Sequence, residues 1–154
     1  MGRCGIFQVA TAGLLLAVLA LPVALSGRDE PTIEELKGRL AETSIKDRPP
    51  LCIRISERQL DAADRFYVAG DSVKAKDALA DVVAFAEQAR DYAIQSHKHE
   101  KPTEIAIRKE IRKLESLKHT VSHEDQEQVQ TAIERLERIR DDLLLAMFPK
   151  GGKK

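Results

Sequence analysis

Tryptophan and asparagine are absent from this 154-residue chain, and cysteine occurs only as Cys4 and Cys52. Without asparagine there is no Asn-Gly turn to close a two-residue β-hairpin. No segment alternates apolar and polar residues as a half-buried strand does. Two cysteines exclude a disulfide-framework toxin. Aromatic residues make up 4% of the chain, so any core has to be mainly aliphatic. The 25 basic and 25 acidic side chains cancel, which argues against a strongly basic nucleic-acid binder. Enzyme signatures are missing too: there is no phosphate-cradling glycine loop, nucleophile elbow, H-E-x-x-H or C-x-x-C-H. Asp141-Asp142 and Glu124-Asp125 are adjacent pairs, whose side chains point about 100° apart on a helix and cannot converge as an acid/base dyad. The chain therefore reads as a non-enzyme, with no catalytic residue and no cofactor.

What is present divides sharply. Residues 1–26 carry Arg3 as their one charged side chain, and the remaining 24 basic and 25 acidic groups all follow them. A charge-rich body thus follows an apolar leader. The leader has the parts of a secretory signal peptide: Arg3 in the n-region, an apolar stretch from Val9 to Leu21, and Pro22 as helix breaker. Ala24 and Ser26 are small residues preceding a cleavage point between Ser26 and Gly27. The alternative is an uncleaved inner-membrane anchor, because residues 5–25 are uncharged and long enough to span. Cleavage would remove Cys4, and Cys52 would stand alone among Leu51, Ile53 and Ile55 as a small buried apolar residue. The other reading of Cys52 is an intermolecular disulfide or a reactive thiol.

After the leader, glycine appears only at 27, 38, 70, 151 and 152, and proline only at 31, 49, 50, 102 and 149. Between them lie long runs of helix-favouring Ala, Leu, Glu, Lys, Arg and Gln. Thr32 with Glu35 three residues on is a capping-box signature for a short helix over 33–42, followed by a linker closed by Pro49 and Pro50. A second helix is expected over 51–69 and a third over 72–95, joined at Gly70-Asp71. Ala75, Leu79, Val82, Ala86, Ala89 and Ala93 form a coiled-coil-like seam on the third. Thr103 is expected to cap a fourth helix over 104–119 after a polar loop, with Ile107, Ile111, Leu114 and Leu117 as its seam. Ser122 is expected to start a fifth over 123–147, whose seam runs from Val129 to Met147. The expected fold is all-α: antiparallel helical hairpins in a four- to five-helix bundle. The organisation is a signal peptide at 1–26, a short helix and linker at 27–50, the bundle at 51–148 and a basic tail at 149–154.

Tyr67, Gly70, Asp71 and Ala75, with Ala63 before them, have the spacing found in a tetratricopeptide repeat, and this hairpin resembles one such unit. It departs from that pattern at Gln59, where a bulky aromatic is usual, and at Glu87, where the closing proline would stand. More broadly, Tyr67–Gly70, Asp81-Val82-Val83, Thr103-Glu104-Ile105 and Asp141-Asp142-Leu143-Leu144 with Met147-Phe148 resemble a group of uncharacterised small exported bacterial α-helical proteins. That resemblance implies export and an all-α fold, and it brings no catalytic residue.

Two constellations remain as binding candidates. His97, His99, His119 and His123 flank the two loops around the fourth helix, and are the candidate ligands for Zn²⁺, Cu²⁺ or Ni²⁺. Lys98, Lys101, Arg108, Lys109, Arg112 and Lys113 form a basic group, six cations against Glu100, Glu104 and Glu110. They are candidates for touching an anionic surface; the other reading of such a run is a solvated helix face. The expectation is an exported protein of the periplasm or cell envelope, working by protein–protein contact. The alternative is a metal- or anion-binding envelope protein. Self-association is open, and nucleic acid is not an expected partner.

Overall fold

The computed structural model describes residues 30–149. The proposed leader, its cleavage point at Ser26–Gly27, Cys4 and the tail from Lys150 lie outside these residues. Among the described residues there are five α-helices and no strand, and no helix is long and apolar enough to cross a membrane.

Helix α1 (Ile33–Glu42) starts at the capping box read from the sequence. Glu35 donates its backbone N–H to Thr32 Oγ1 at 3.2 Å, and Thr32 donates its own to Glu35 Oε2 at 2.8 Å. Only Leu36 of this helix is buried; α1 packs narrowly on α2, and its Lys37 reaches Asp81 at 3.9 Å and the Phe85 ring of the helix that follows α2. A single 3₁₀ turn, Ile45–Asp47, leads into α2 (Arg48–Val68).

Pro49 and Pro50 do not close a linker, as the sequence suggested. They occupy the first turn of α2, and Pro49 is buried. The first-turn N–H groups of a helix have no intrahelical acceptor, so proline loses no bond there. Arg48 donates to the Thr43 carbonyl at 2.9 Å and to the Tyr92 hydroxyl at 3.2 Å, tying this junction to the far end of the next helix.

The α2–α3 turn follows the sequence closely. Gly70 takes φ +75°, the left-handed conformation that glycine adopts without steric penalty. Its N–H bonds to the Tyr67 carbonyl at 3.0 Å, and that of Asp71 to Phe66 at 2.9 Å, which closes α2. Asp71 then caps α3 (Ser72–Ser96) by accepting from the Lys74 N–H at 3.1 Å. The whole expected seam of α3 is buried, from Ala75 to Ala93. Its alanines let α2 approach closely, and Cys52, Ala62 and Ala63 face the same core.

Helix α4 (Glu100–Lys118) begins four residues earlier than expected. Thr103 is not its cap: it lies buried inside the helix, and Pro102 sits in the first turn. The physical reason is the one that applies at Pro49. The residue at the cap position is His99, which makes no side-chain capping bond. His97 and His99 both adopt left-handed backbone, at φ 53° and 63°. That conformation costs a non-glycine residue about 1–2 kcal/mol, while glycine adds about 0.5–1 kcal/mol of unfolded-state freedom. Replacing His97 by Gly is therefore expected to raise stability by about 0.5 kcal/mol, measured by urea denaturation.

Helix α5 (His123–Met147) starts at Ser122, whose side chain accepts from the Asp125 N–H at 3.3 Å. Its seam from Val129 to Leu143 is buried, and Met147 is half-buried. The helices pair as two antiparallel hairpins, α2–α3 and α4–α5, with α3 lying along α5. Ser72 meets Asp125 near the starts of α3 and α5, and Arg90 meets Asp142 near their ends, so these two helices run parallel.

Candidate functional site

The basic group lies along α4 and in the connector before it, and all six side chains are exposed. Two are neutralised locally. Arg108 is held by Glu104, one turn earlier, through Nε–Oε1 at 3.0 Å and further bonds from its terminal nitrogen. Lys113 pairs with Asp61 of α2. Lys98, Lys101, Lys109 and Arg112 have no ion pair among the described residues.

The histidines are not brought together. His97 and His99 sit at the start of α4, and His119 and His123 beyond its end. Nineteen residues of helix put about 28 Å between the pairs. A turn separates His119 from His123, so their four-residue spacing does not lie on one helix face. His97 Nδ1 approaches Glu100 at 3.7 Å. Among the described residues no group of three or more His, Cys, Asp or Glu side chains gathers as a metal ion would require. Cys52 is fully buried, and burial pushes its thiol up to about 12, with Arg48 pulling weakly the other way. Such a thiol is inert at neutral pH.

The residue that sequence reasoning missed is Glu110. It was counted among the acids interspersed with the basic run, yet its side chain is 2% exposed. Neither carboxyl oxygen has a hydrogen-bond partner among the described residues. The signal was available: Glu110 stands three residues after Ile107 and four before Leu114, in register with the seam. Burial is the main cause that pushes its carboxyl up to about 8; Glu57 adds to the rise, and Lys113 and Lys109 offset part of it. The Ser56 hydroxyl beside it would favour the carboxylate if it donated to it. Its one proton is committed to the Val82 carbonyl at 3.0 Å, which leaves only lone pairs for Glu110. A neutral Glu110 can donate to those lone pairs, and an ionised one cannot. With Glu110 neutral, the basic residues of the stretch 97–113 are six against two remaining acidic residues, Glu100 and Glu104.

Glu110 borders a cleft of about 180 Å³ between α2 and α4, with Glu57 and Asp61 on one wall and Lys109 and Lys113 on the other. A larger groove, about 420 Å³, lies elsewhere, between α3 and α5. It is flanked by surface charges such as Lys76 and Glu127, and none of its lining side chains is a buried polar group. The unusual chemistry therefore belongs to the smaller cleft.

A second polar cluster joins the two turns at one end of the bundle. Asp125 accepts from Ser72 at 2.9 Å and from Ser122 at 2.7 Å, and these bonds hold its carboxyl below the usual range. Burial, and then Asp125 nearby, push the Tyr67 phenol up to about 12, and its buried hydroxyl has no partner among the described residues. Replacing Tyr67 by Phe removes that unmet polar atom and keeps the ring. The expected result is a gain of about 1 kcal/mol in urea denaturation, where removal of a satisfied hydroxyl would lower stability.

These features define an α-helical hairpin bundle with an aliphatic, alanine-rich core and, among the described residues, one buried carboxyl without a hydrogen-bond partner, Glu110. The chain matches no family model, no curated protein and no solved structure.

Proposed function

We propose that this chain is an exported, non-enzymatic helical protein that works by protein–protein contact in the periplasm or cell envelope. The apolar leader ahead of a charged body supports export. The observation that carries the contact reading is the tip of the α2–α3 hairpin. Val68 is 85% exposed and Val73 71% exposed, on either side of the capped Gly70-Asp71 turn. Single exposed apolar residues are ordinary. Two on a turn held by its own caps form a preorganised apolar tip, which lowers the ordering cost of binding. Leu145 and Phe148 are exposed at the last turn of α5 and supply a further apolar pair.

Two measurements test this reading. N-terminal sequencing of the protein recovered from the envelope is expected to begin at Gly27; a start at Met1 supports the uncleaved anchor instead. A photo-crosslinker at Val68 is expected to trap a discrete partner in cells. The single changes Val73→Ser and Leu145→Ser, made separately in the crosslinker-bearing protein, distinguish the two apolar pairs: loss of the partner with Val73→Ser alone places binding at the tip, and loss with Leu145→Ser alone places it at the end of α5. Recovery of an uncrosslinked monomer with Val73 and Leu145 both intact, from a crosslinker at Val68 and again from one at Phe148, overturns the contact reading.

The basic face of α4 supports a second reading, binding to an anionic surface. The favouring observation is that Lys98, Lys101, Lys109 and Arg112 are exposed and have no ion pair among the described residues, while Glu110 is buried. Salt-dependent sedimentation with anionic vesicles tests it, and binding that ignores salt counts against it.

A further inference from the structure

We propose that the buried Glu110 carboxyl is a proton-coupled latch between α2 and α4, which holds a proton while the helices are packed and releases it to water when the cleft opens. The geometry has three parts. Both carboxyl oxygens are enclosed and unpartnered. The only hydroxyl beside Glu110 that the structure identifies, Ser56 of α2, gives its proton to Val82 of α3. The cleft at the α2–α4 seam gives water a short route to the acid once the helices part.

A protonated Glu110 of α4 has a proton to offer the Ser56 lone pairs, and Ser56 in turn donates to the Val82 carbonyl of α3. Loss of that proton leaves only acceptors facing each other and a charge without a donor in an apolar seam beside Ile107, Ile111 and Leu114. The charged groups facing this point compensate only in part: Lys113 and Lys109 favour the carboxylate, but neither bonds to it. Glu57 on α2 repels the carboxylate. Asp61 on α2 already pairs with Lys113 on α4. Lys109 on α4 is exposed, with its ammonium free to stay in water. From α3 the contribution is the Val82 carbonyl, an acceptor that also disfavours negative charge.

The sign follows from the direction of the shift. The packed state holds the proton up to about pH 8, whereas an exposed glutamate loses it near 4.5. Opening therefore releases one proton over that window, becoming easier as pH rises and levelling off above it. Low pH tightens α4 against α2.

Amide hydrogen exchange on the full chain, corrected for the intrinsic pH dependence of exchange, reads the opening directly. The expected result is that protection of α4 amides near Glu110 falls about tenfold per pH unit from pH 5 to 8, and that Glu110→Gln abolishes this dependence. A flat wild-type profile, or an equal slope in the variant, overturns the latch. Should the variant fail to fold, the ¹³C shift of the wild-type Glu110 carboxyl still decides. A midpoint near 8 supports the latch, and one near 4.5 overturns it.

Discussion

At pH 7 the Glu110→Gln variant is expected to be more stable than the wild-type chain by about 3 kcal/mol, measured by urea denaturation. The figure follows from proton linkage. Burial raises the folded-state value to about 8, and the unfolded chain titrates near 4.5. From 4.5 to pH 7 is 2.5 pH units, each worth about 1.36 kcal/mol of stability lost by the acid as pH rises. The wild-type contribution is fully present below 4.5, declines through neutral pH and is flat above about 8. Glutamine has nearly the same shape, carries no charge, and can donate its amide to Ser56. Its stability should lack this slope, so the two proteins converge at pH 4.5 and diverge above it. Equal stabilities at pH 5 and pH 7.5 for both would show that Glu110 ionises as an exposed glutamate does. A direct consequence concerns charge: an acid kept neutral in the seam makes the surface of α4 more positive than its composition suggests.

The second large effect is expected at Leu136, which is fully buried in the middle of α5. Leu136→Ala should lower stability by about 3–4 kcal/mol, within the range of about 2–5 kcal/mol usual for such truncations. The upper half is expected here because of the company Leu136 keeps. The core cluster contains Ala62, Ala63, Ala78, Ala86, Ala89, Ala93 and Ala132. Alanine has no rotamer with which to move into a void, so the cavity stays open. With no tryptophan and few aromatics, the core holds few large side chains to spare. Domains of this size have total stabilities of about 5–15 kcal/mol, so thermal unfolding should shift down by about 10 °C or more. A loss under about 1.5 kcal/mol would mean that the helices close over the gap.

Much of the fold was legible because it is written in local chemistry. Helix α1, its capping box and the start of α5 at Ser122 follow from side chains that bond to backbone three residues away. The Gly70-Asp71 turn follows from a left-handed residue and a cap placed side by side. The seams of α3, α4 and α5 follow from helical periodicity, because a 3.6-residue repeat needs no knowledge of the partner helix. The ambiguous points are local as well. Pro49, Pro50 and Pro102 suit a linker or loop as well as a helix start, because proline in a first helical turn has the same φ as proline in a linker, and only the surrounding chain distinguishes them.

The candidate site was much less legible. The six basic residues could be located, and so could the pairing of Arg108 with Glu104 one turn earlier, but not that Lys113 is neutralised, since Asp61 comes from another helix. Charge and periodicity could place Glu110 on the seam, and could not say whether a seam position would be covered. Covering it requires α2 to bring Ser56 alongside and α3 to take that hydroxyl's proton at Val82. The sequence alone thus determined helices, caps, turns and apolar faces, each a matter of neighbours within about four residues. Which carboxyl loses its water, and with it its ordinary acidity, was decided by the packing of three helices, because desolvation depends on everything that surrounds a group in space.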